Sequence, residues 1–186
     1  ERYHPRRTIL DAFDTSDPKR AAVVGRLRAL LPGIGEHVGR GDGLIWYGSV
    51  GTGKDHLMAA MLYAVAELGI SCRWLNAQDW YGTMRDRMDA GGREEDLMRE
   101  LATPQVLAIS DPIPPAGPAS AWNLSQLWRL VDRRYRNLKS TWLTLNATSE
   151  QDADAKLTAQ VFDRLRHSAE MFACFWPTGR ERRNSS

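Results

Sequence analysis

One short glycine-rich run constrains this chain more than any other feature of its sequence. Between Gly48 and Lys54 the residues follow the spacing Gly-x-x-Gly-x-Gly-Lys. The apolar residues 44–47 before the run predict a buried strand, and the Ala-, Leu- and Met-rich residues 55–68 after it predict a helix. Glycines let backbone N–H groups turn inward around an anion, while the helix N-terminus and the lysine add positive charge. The pattern predicts a loop that binds nucleotide phosphates, the alternative being a glycine-rich turn without a ligand.

The expected phosphate contacts comprise this run and the two residues that follow it. They are Gly48, Ser49, Val50, Gly51, Thr52, Gly53, Lys54, Asp55 and His56. Position 55 is unusual, because a Ser or Thr hydroxyl that binds Mg²⁺ normally follows the lysine. Asp55 is either a magnesium ligand, which adds negative charge near the phosphates, or a cap for the helix N-terminus.

A second apolar segment, at 106–109, ends in Ser110 and Asp111. Such a strand carries acidic groups to the carboxyl edge of a parallel sheet, where ligands bind. Two adjacent carboxylates usually stand there, one for Mg²⁺ and one for the attacking water, but here only Asp111 is acidic. Asp111 is expected to polarise water or to hold the metal, unless it only begins a turn. Because positions 55 and 110 both belong to the magnesium neighbourhood, Asp55 is a candidate source of the charge that Ser110 lacks.

Five predicted strands alternate with helices along the chain, which indicates an α/β fold with a mostly parallel sheet covered on both faces. The strands are expected at 44–47, 71–76, 105–110, 141–146 and 171–176. The helices are expected at 18–31, 55–68, 79–102 with a break at 91–92, from Ser120 to about 138, and 155–168. A glycine-rich stretch at 33–43 and a proline-rich stretch at 112–118 are expected to be irregular. With no repeat in the sequence, residues 1–186 are expected to form one domain.

Composition excludes few functions. A net charge of +2 is too small to indicate a partner, although arginine is dense at 6–7, 133–136 and 180–183. Such clusters are either solvated faces or nucleic-acid contacts. The two cysteines, Cys72 and Cys174, lie in apolar segments and predict buried thiols in a reducing compartment. Since no apolar run is long enough to cross a bilayer, we expect a cytoplasmic protein without a membrane partner.

Together these segments resemble the AAA+ superfamily, and within it the group of DnaC/DnaI replicative helicase loaders and the transposition protein IstB. The resemblance rests on the phosphate loop with its following Asp-His-Leu, on Ser110-Asp111, on Asn146, and on the segment Val-Phe-Asp-Arg-Leu at 161–165. It spans roughly residues 8–182. Asn146 ends the fourth predicted strand, where an asparagine taken alone is more often a turn former.

The resemblance implies a three-layer αβα P-loop NTPase fold with a five-stranded parallel sheet in the order 5-1-4-3-2. It places the two cysteines on opposite edge strands and implies no C-terminal helical lid. The implied catalytic residues are Asp111, Asn146 as a sensor of the terminal phosphate, and Arg164 as an arginine finger for a neighbouring subunit. Pairing of Arg164 with an acid of its own surface is the alternative. The implied cofactors are ATP and Mg²⁺, with Asp55, Ser110 and Asp111 around the metal, and Arg180 resembles a terminal arginine of the group.

The implied function is that of an ATP-binding, weakly ATP-hydrolysing protein that acts on DNA and on a replicative helicase or a transposase. Homo-oligomerisation in the ATP-bound state is also implied. The residues themselves support the link to DNA only through arginines on one predicted helix, namely Arg129, Arg133, Arg134 and Arg136. The missing carboxylate at Ser110 leaves a second function open, a switch that binds ATP without turnover. A small-molecule kinase is a third, disfavoured because no arginine-rich lid or acceptor pocket is evident.

Overall fold

A computed structural model of the protein describes residues 10–114 and 119–178. The predicted arginine clusters at 6–7 and 180–183, with Arg180, lie outside the described residues, as does most of the proline-rich stretch. Within the described part, five strands form one parallel sheet in the order β2-β3-β4-β1-β5. The strands are β1 (Leu44–Gly48), β2 (Cys72–Asn76), β3 (Val106–Ser110), β4 (Ser140–Asn146) and β5 (Glu170–Cys174). The predicted order 5-1-4-3-2 is confirmed.

Helices connect the strands and cover both faces of the sheet. They are α1 (Pro18–Leu30), α2 (Ile34–Gly39), α3 (Lys54–Glu67), α4 (Ala77–Asp89), α5 (Glu94–Ala102), α6 (Ala121–Arg136), α7 (Glu150–Leu157) and α8 (Ala159–Arg166), with 3₁₀ turns at Leu10–Ala12 and Leu31–Gly33. Side-chain oxygens cap several of their N-termini: Asp17 caps α1, Asn76 caps α4, and Ser120 caps α6 as predicted. None of the described helices is long and apolar enough to cross a membrane.

Alternate residues of the central strands point into two separate hydrophobic cores. On β1, Ile45 and Tyr47 face the core that α4 to α8 cover. Leu44 and Trp46 face the opposite core, beneath α1, α2 and α3. There the Trp46 ring stacks on Phe172 of β5 with 5.6 Å between ring centroids. The residues of both faces are apolar, as expected for a buried parallel sheet in a three-layer αβα fold.

Two segments of the chain differ from their predicted secondary structure. The glycine-rich stretch at 33–43 contains helix α2, which buries Ile34, His37 and Val38 at helical spacing. The predicted single helix at 155–168 is two helices, because Thr158 between them adopts a φ of +68°. Tertiary packing stabilises α2 despite its glycines, which disfavour helix on their own.

In α6 the apolar residues at 124, 127, 131, 135 and 138 have the spacing of one buried stripe, but the structure differs at Leu138 and buries Arg134. Leu138 instead lies beyond the helix, 64% exposed, with a φ of +50°. Arg134 is fully buried and uses all five N–H groups of its guanidinium. Its acceptors are the carbonyl oxygens of Leu101, Pro104, Gln105 and Ser140 and the hydroxyl of Thr141. Burial lowers the pKa of this guanidinium, whereas the oxygens around it favour the charged form.

The other arginines of α6 are paired with acids. Arg129 contacts Glu94, and Arg133 contacts Glu95 at 2.6 Å. Arg136 contacts Asp132 at 2.7 Å. Acidic partners therefore neutralise this face of α6 in large part, so it is not a free basic surface. The two cysteines, Cys72 on β2 and Cys174 on β5, form no disulfide and lie on opposite edge strands, as predicted. Cys174 is buried, whereas Cys72 is only half-buried.

Candidate functional site

The glycine-rich loop joins the carboxyl end of β1 to the start of α3. Gly48, with a φ of +151°, packs against β5 so tightly that a Cβ atom would lie 2.2 Å from the carbonyl oxygen of Cys174. Gly51 and Gly53 also have positive φ angles, of +78° and +88°. A side chain would strain each of these positions, so the loop conformation depends on its glycines.

Contacts behind the loop fix its shape. The hydroxyl of Thr52 donates to the carbonyl oxygen of Ser49 at 2.9 Å. The indole N–H of Trp176, which follows β5, donates to the carbonyl oxygen of Thr52 at 2.9 Å. Trp176 is buried, and the guanidinium of Arg20 lies over its ring at 5.5 Å. Two residues distant in sequence, Trp176 and Arg20, thus support the loop at Thr52.

Lys54 is the first residue of α3 and lies almost wholly buried at the base of the loop. Its ammonium group donates to the carbonyl oxygens of Gly48 at 3.2 Å and Ser49 at 2.7 Å. It also donates to the side-chain oxygen of Asn146 at 2.8 Å. Burial lowers the pKa of Lys54, and the nearby carboxylates of Asp111 and Asp55 oppose that shift. Three hydrogen bonds therefore hold the lysine side chain in place inside the loop.

A cavity of about 230 Å³ opens beside this lysine. Its lining residues are Val50, Gly51, Gly53, Lys54, Asp55, His56, Asp111 and Asn146. The structure thus brings residues of the predicted phosphate contacts together with Asp111 and Asn146, from the ends of β3 and β4. Because β1 and β4 are neighbours with Gly48 opposite Asn146, the sheet register itself places Asn146 beside the loop.

Asp55 does not cap α3. The N-cap is Gly53, which makes no side-chain capping bond. The two carboxylate oxygens of Asp55 instead accept hydrogen bonds from two hydroxyl groups. The hydroxyl of Ser110 donates at 2.8 Å, and that of Thr144 donates at 2.7 Å. The carboxylate therefore ties the start of α3 to the ends of β3 and β4.

Asp111 lies where the chain leaves β3, in a backbone conformation with a φ of +44°. Its backbone N–H donates to the hydroxyl of Thr144 at 3.3 Å, and its carboxylate accepts from the side-chain amide of Asn146 at 3.0 Å. Burial and the charge of Asp55 raise the pKa of Asp111, while Lys54 opposes the shift. A hydrogen-bonded series therefore runs from Lys54 through Asn146 to Asp111, along one wall of the cavity.

Arg164 lies far from this cavity, near the opposite end of the sheet. With Gly43 and Thr141, at the starts of β1 and β4, it lines a small separate cavity. Its guanidinium is 3.5 Å from the carboxylate of Asp132 and lies over the ring of Tyr135 at 5.0 Å. Asp163 is more distant, at 4.0 Å. Arg164 thus does not reach the phosphate loop of its own chain.

Sequence reasoning missed two residues of the site, Thr144 and Trp176. Thr144 stands two positions before Asn146 on β4, so strand periodicity places both on one face. That spacing could have identified Thr144. Trp176 carries no such signal, since its contact with Thr52 arises only from the return of the chain after β5.

Comparison with known proteins agrees with this geometry. The family described as IstB-like ATP binding protein matches residues 15–185. The replicative helicase loader DnaC of Escherichia coli (strain K12) is 27% identical over 168 residues, which are 88% of this chain and 67% of the loader. A crystal structure of the DnaC helicase loader superposes with a TM-score of 0.80 at 23% identity, covering 94% of this chain and 99% of that one. A crystal structure of DnaI superposes with a TM-score of 0.72 at 21% identity, covering 94% and 93%.

Proposed function

The chain belongs to the family of IstB-like ATP-binding proteins, and from that premise we propose that it binds ATP with Mg²⁺ at the glycine-rich loop and hydrolyses the nucleotide slowly. The hydrogen-bonded series from Lys54 through Asn146 to Asp111 supports this function most directly. It links a cation for the phosphates, an amide for the terminal phosphate and a carboxylate for water within one cavity.

Each residue of the cavity has a distinct task in this proposal. The loop N–H groups and Lys54 bind the phosphates, and Lys54 exchanges its present acceptors for phosphate oxygens. Asn146 donates one side-chain N–H to the terminal phosphate, while the other stays on the carboxylate of Asp111. Asp111 orients the attacking water and accepts its proton. His56, exposed on the first turn of α3, lies at the mouth of the cavity beside the phosphates.

The side chains present fit a magnesium ion. Two carboxylates, those of Asp55 and Asp111, line the cavity. In nucleotide sites Mg²⁺ uses one or two carboxylates together with phosphate and water oxygens. Asp55 would hold the ion, with Ser110 and Asp111 beside it. The bound ion would supply positive charge against the phosphate oxygens.

The partners follow from the family and its relatives. Since the relatives include replicative helicase loaders, we propose that the chain acts with a replicative helicase or a transposase on DNA in the cytoplasm. We also propose that residues 1–186 act as one domain and assemble with further copies when ATP is bound. Because the arginines of α6 are buried or paired with acids, DNA association rests on the family and not on that helix.

ATP hydrolysis by the purified chain tests the proposed activity. We expect Mg²⁺-dependent phosphate release that DNA increases and that the substitution Lys54→Ala abolishes, because the alanine variant leaves the phosphates without their buried cation. The measurement is phosphate release with no DNA, single-stranded DNA or double-stranded DNA. Lys19→Ala, on the exposed surface of α1, is the matched control for the loss of a lysine.

A second function, a switch that binds ATP without turnover, is favoured by the single carboxylate after β3. Ser110 offers only a hydroxyl, so the carboxylates of Asp111 and Asp55 have both to bind the metal and to orient the attacking water. Tight ATP binding by the wild-type chain with no phosphate release, even with DNA at high protein concentration, would establish the switch and exclude the hydrolase.

Subunit mixing tests the role of Arg164 in a neighbouring copy. Arg164 lies at the opposite end of the sheet from its own loop, so it could act only on the loop of a neighbouring subunit. We expect Arg164→Ala chains to be inactive alone because they lack the finger, and Lys54→Ala chains because they lack the lysine of the loop. Mixed together they should regain part of the ATPase rate, since some interfaces then join an intact Lys54 to an intact Arg164. Phosphate release by the mixture, with Arg166→Ala in place of Arg164→Ala as a control, is the measurement. A mixture no more active than its components would contradict a finger that acts between subunits.

A further inference from the structure

The contact between Asp55 and Ser110 joins the two positions at which this chain departs from the usual ATP site. In P-loop proteins a Ser or Thr after the lysine and an Asp at the end of the neighbouring strand together hold Mg²⁺. Here the acid follows the lysine and the hydroxyl ends the strand, and they lie 2.8 Å apart. We propose that the two positions have exchanged their chemistry, so that Asp55 supplies the negative charge of the magnesium site and Ser110 its neutral oxygen.

The exchange conserves the composition of the pair. One hydroxyl and one carboxylate still face each other between the start of α3 and the end of β3, with the hydroxyl donating to the carboxylate. What changes is the element that carries the charge. The exchange presupposes the binding of ATP with Mg²⁺ proposed above, and it names the residue on which the metal dependence of that binding rests.

Thr144 completes the site as a positioning residue. Its hydroxyl donates to the second oxygen of Asp55 at 2.7 Å and accepts from the backbone N–H of Asp111 at 3.3 Å. Thr144 is fully buried and Ser110 nearly so. Each oxygen of Asp55 thus has one hydroxyl donor that holds the carboxylate in a fixed plane. A carboxylate has roughly four acceptor positions, so about two remain for a metal.

The position of Asp55 in the cavity gives the exchange a measurable consequence. Asp55 and Lys54 line the same cavity, so without metal the carboxylate repels the phosphates. With Mg²⁺ the same carboxylate becomes attractive through the ion. ATP affinity in this chain should therefore depend strongly on Mg²⁺, and the dependence should be lost with Asp55.

Four chains test the exchange: wild type, Asp55→Ser, Ser110→Asp, and the double variant that carries both substitutions. The measurement is the dissociation constant of ATP by calorimetry, once with Mg²⁺ and once with EDTA. The wild type should bind ATP at least about tenfold more tightly with Mg²⁺. This factor, the dissociation constant in EDTA divided by that in Mg²⁺, is the ratio compared between the chains. Asp55→Ser should tighten binding in EDTA and weaken it in Mg²⁺, which removes most of the ratio. Ser110→Asp should weaken binding in EDTA, because it adds a further carboxylate.

The double variant is the decisive member, because it restores the usual arrangement of hydroxyl and acid. Its ratio should return to within about threefold of the wild type, although loss of Asp55 alone removes most of it. Asp96→Ser, which removes an exposed first-turn acid from α5, is the matched control. If the double variant does not fold, as thermal unfolding would show, Asp55→Asn replaces it, since the amide keeps the shape of the side chain and should still lose the ratio.

The outcomes separate this exchange from the proposed function. A wild-type ratio retained by Asp55→Ser or Asp55→Asn would overturn the exchange and leave Asp55 as a structural tie. A folded double variant with no recovery of the ratio would also overturn it. A wild type that binds ATP equally with and without Mg²⁺ overturns the exchange while nucleotide binding stands. A wild type that binds no ATP overturns both.

Discussion

Replacement of Arg134 by methionine should destabilise the protein by about 4 kcal/mol or more. The substitution keeps much of the apolar stem but removes all five N–H donors. Four backbone carbonyl oxygens, of Leu101, Pro104, Gln105 and Ser140, then lose a buried partner. They belong to the end of α5, to the residues just before β3 and to the start of β4, so one side chain joins three elements. The carbonyl oxygen of Gln105 keeps the backbone N–H of Ser140 as a donor, and each buried group that is left unsatisfied typically destabilises by about 1–3 kcal/mol.

The free energy of unfolding in urea measures this effect, with Arg133→Met as the matched control. Arg133 is the adjacent residue, but it is partly exposed and pairs with Glu95 at the surface. Surface pairs of this kind contribute roughly 0–1 kcal/mol. Arg134→Lys should fall between the two, because an ammonium has three donors in place of five. If Arg134→Met lost no more stability than Arg133→Met, the buried hydrogen bonds would not stabilise this fold.

Replacement of Asp111 by asparagine should reduce ATP turnover by roughly 10²–10⁴-fold, the usual effect of removing a positioned general base. Nucleotide affinity should stay the same or increase, because the substitution removes a negative charge from a cavity that receives phosphates. Asparagine has nearly the shape of aspartate and still offers an oxygen to the amide of Asn146. The structural effect of the change is therefore small.

Two measurements distinguish a catalytic from a binding role for Asp111. Phosphate release gives the turnover rate, and calorimetry gives the dissociation constant of ATP. Asp79→Asn is the control, because Asp79 is an exposed acid near the same edge of the sheet, on the first turn of α4. A parallel loss of affinity and turnover would contradict the role in water activation and assign Asp111 to nucleotide binding.

The phosphate loop and the sheet were accessible from the sequence because their signals are local. Glycine spacing fixes backbone angles over a few residues, and apolar runs bounded by turn residues mark the strands. The sheet order came from the resemblance and is confirmed. The roles of Asp111, Asn146 and Arg164 stay predictions, because the structure establishes their positions and not their chemistry.

Arg134 shows where pattern reasoning failed. The predicted stripe on α6 placed the apolar residues 124, 127, 131, 135 and 138 on the buried face and left some of the arginines to solvent. A rotation of 100° per residue in fact places position 134 between Leu127 and Leu130 on the buried face. The signal was therefore present. The carbonyl acceptors that make burial of a charge tolerable come from α5, from the residues just before β3 and from β4, and no local pattern reveals them.

Helix α2 was missed for the opposite reason. Ile34, His37 and Val38 have helical spacing, but the glycines among them disfavour a helix locally. Burial beneath α1 and α3 outweighs that preference. The bonding of Asp55 lay equally beyond the sequence, since both capping and metal binding are ordinary roles for an acid at a helix start. The ends of β3 and β4 supply the hydroxyls that decide its orientation.

The contact of Trp176 with the phosphate loop bears on how this chain can be shortened. Arg20 of α1 lies over the Trp176 ring and donates to the carbonyl oxygen of Pro177 at 3.4 Å, while Trp176 supports Thr52. Residues near both ends of the described chain thus contact each other at Trp176, which in turn contacts the loop. A truncation that keeps all five strands but stops at Cys174 would retain every residue that lines the cavity but remove the contact of Trp176 with Thr52. A truncation that begins after α1 would likewise remove the contact of Arg20 with Trp176. The smallest fragment that preserves the loop therefore extends from before Arg20 to beyond Pro177.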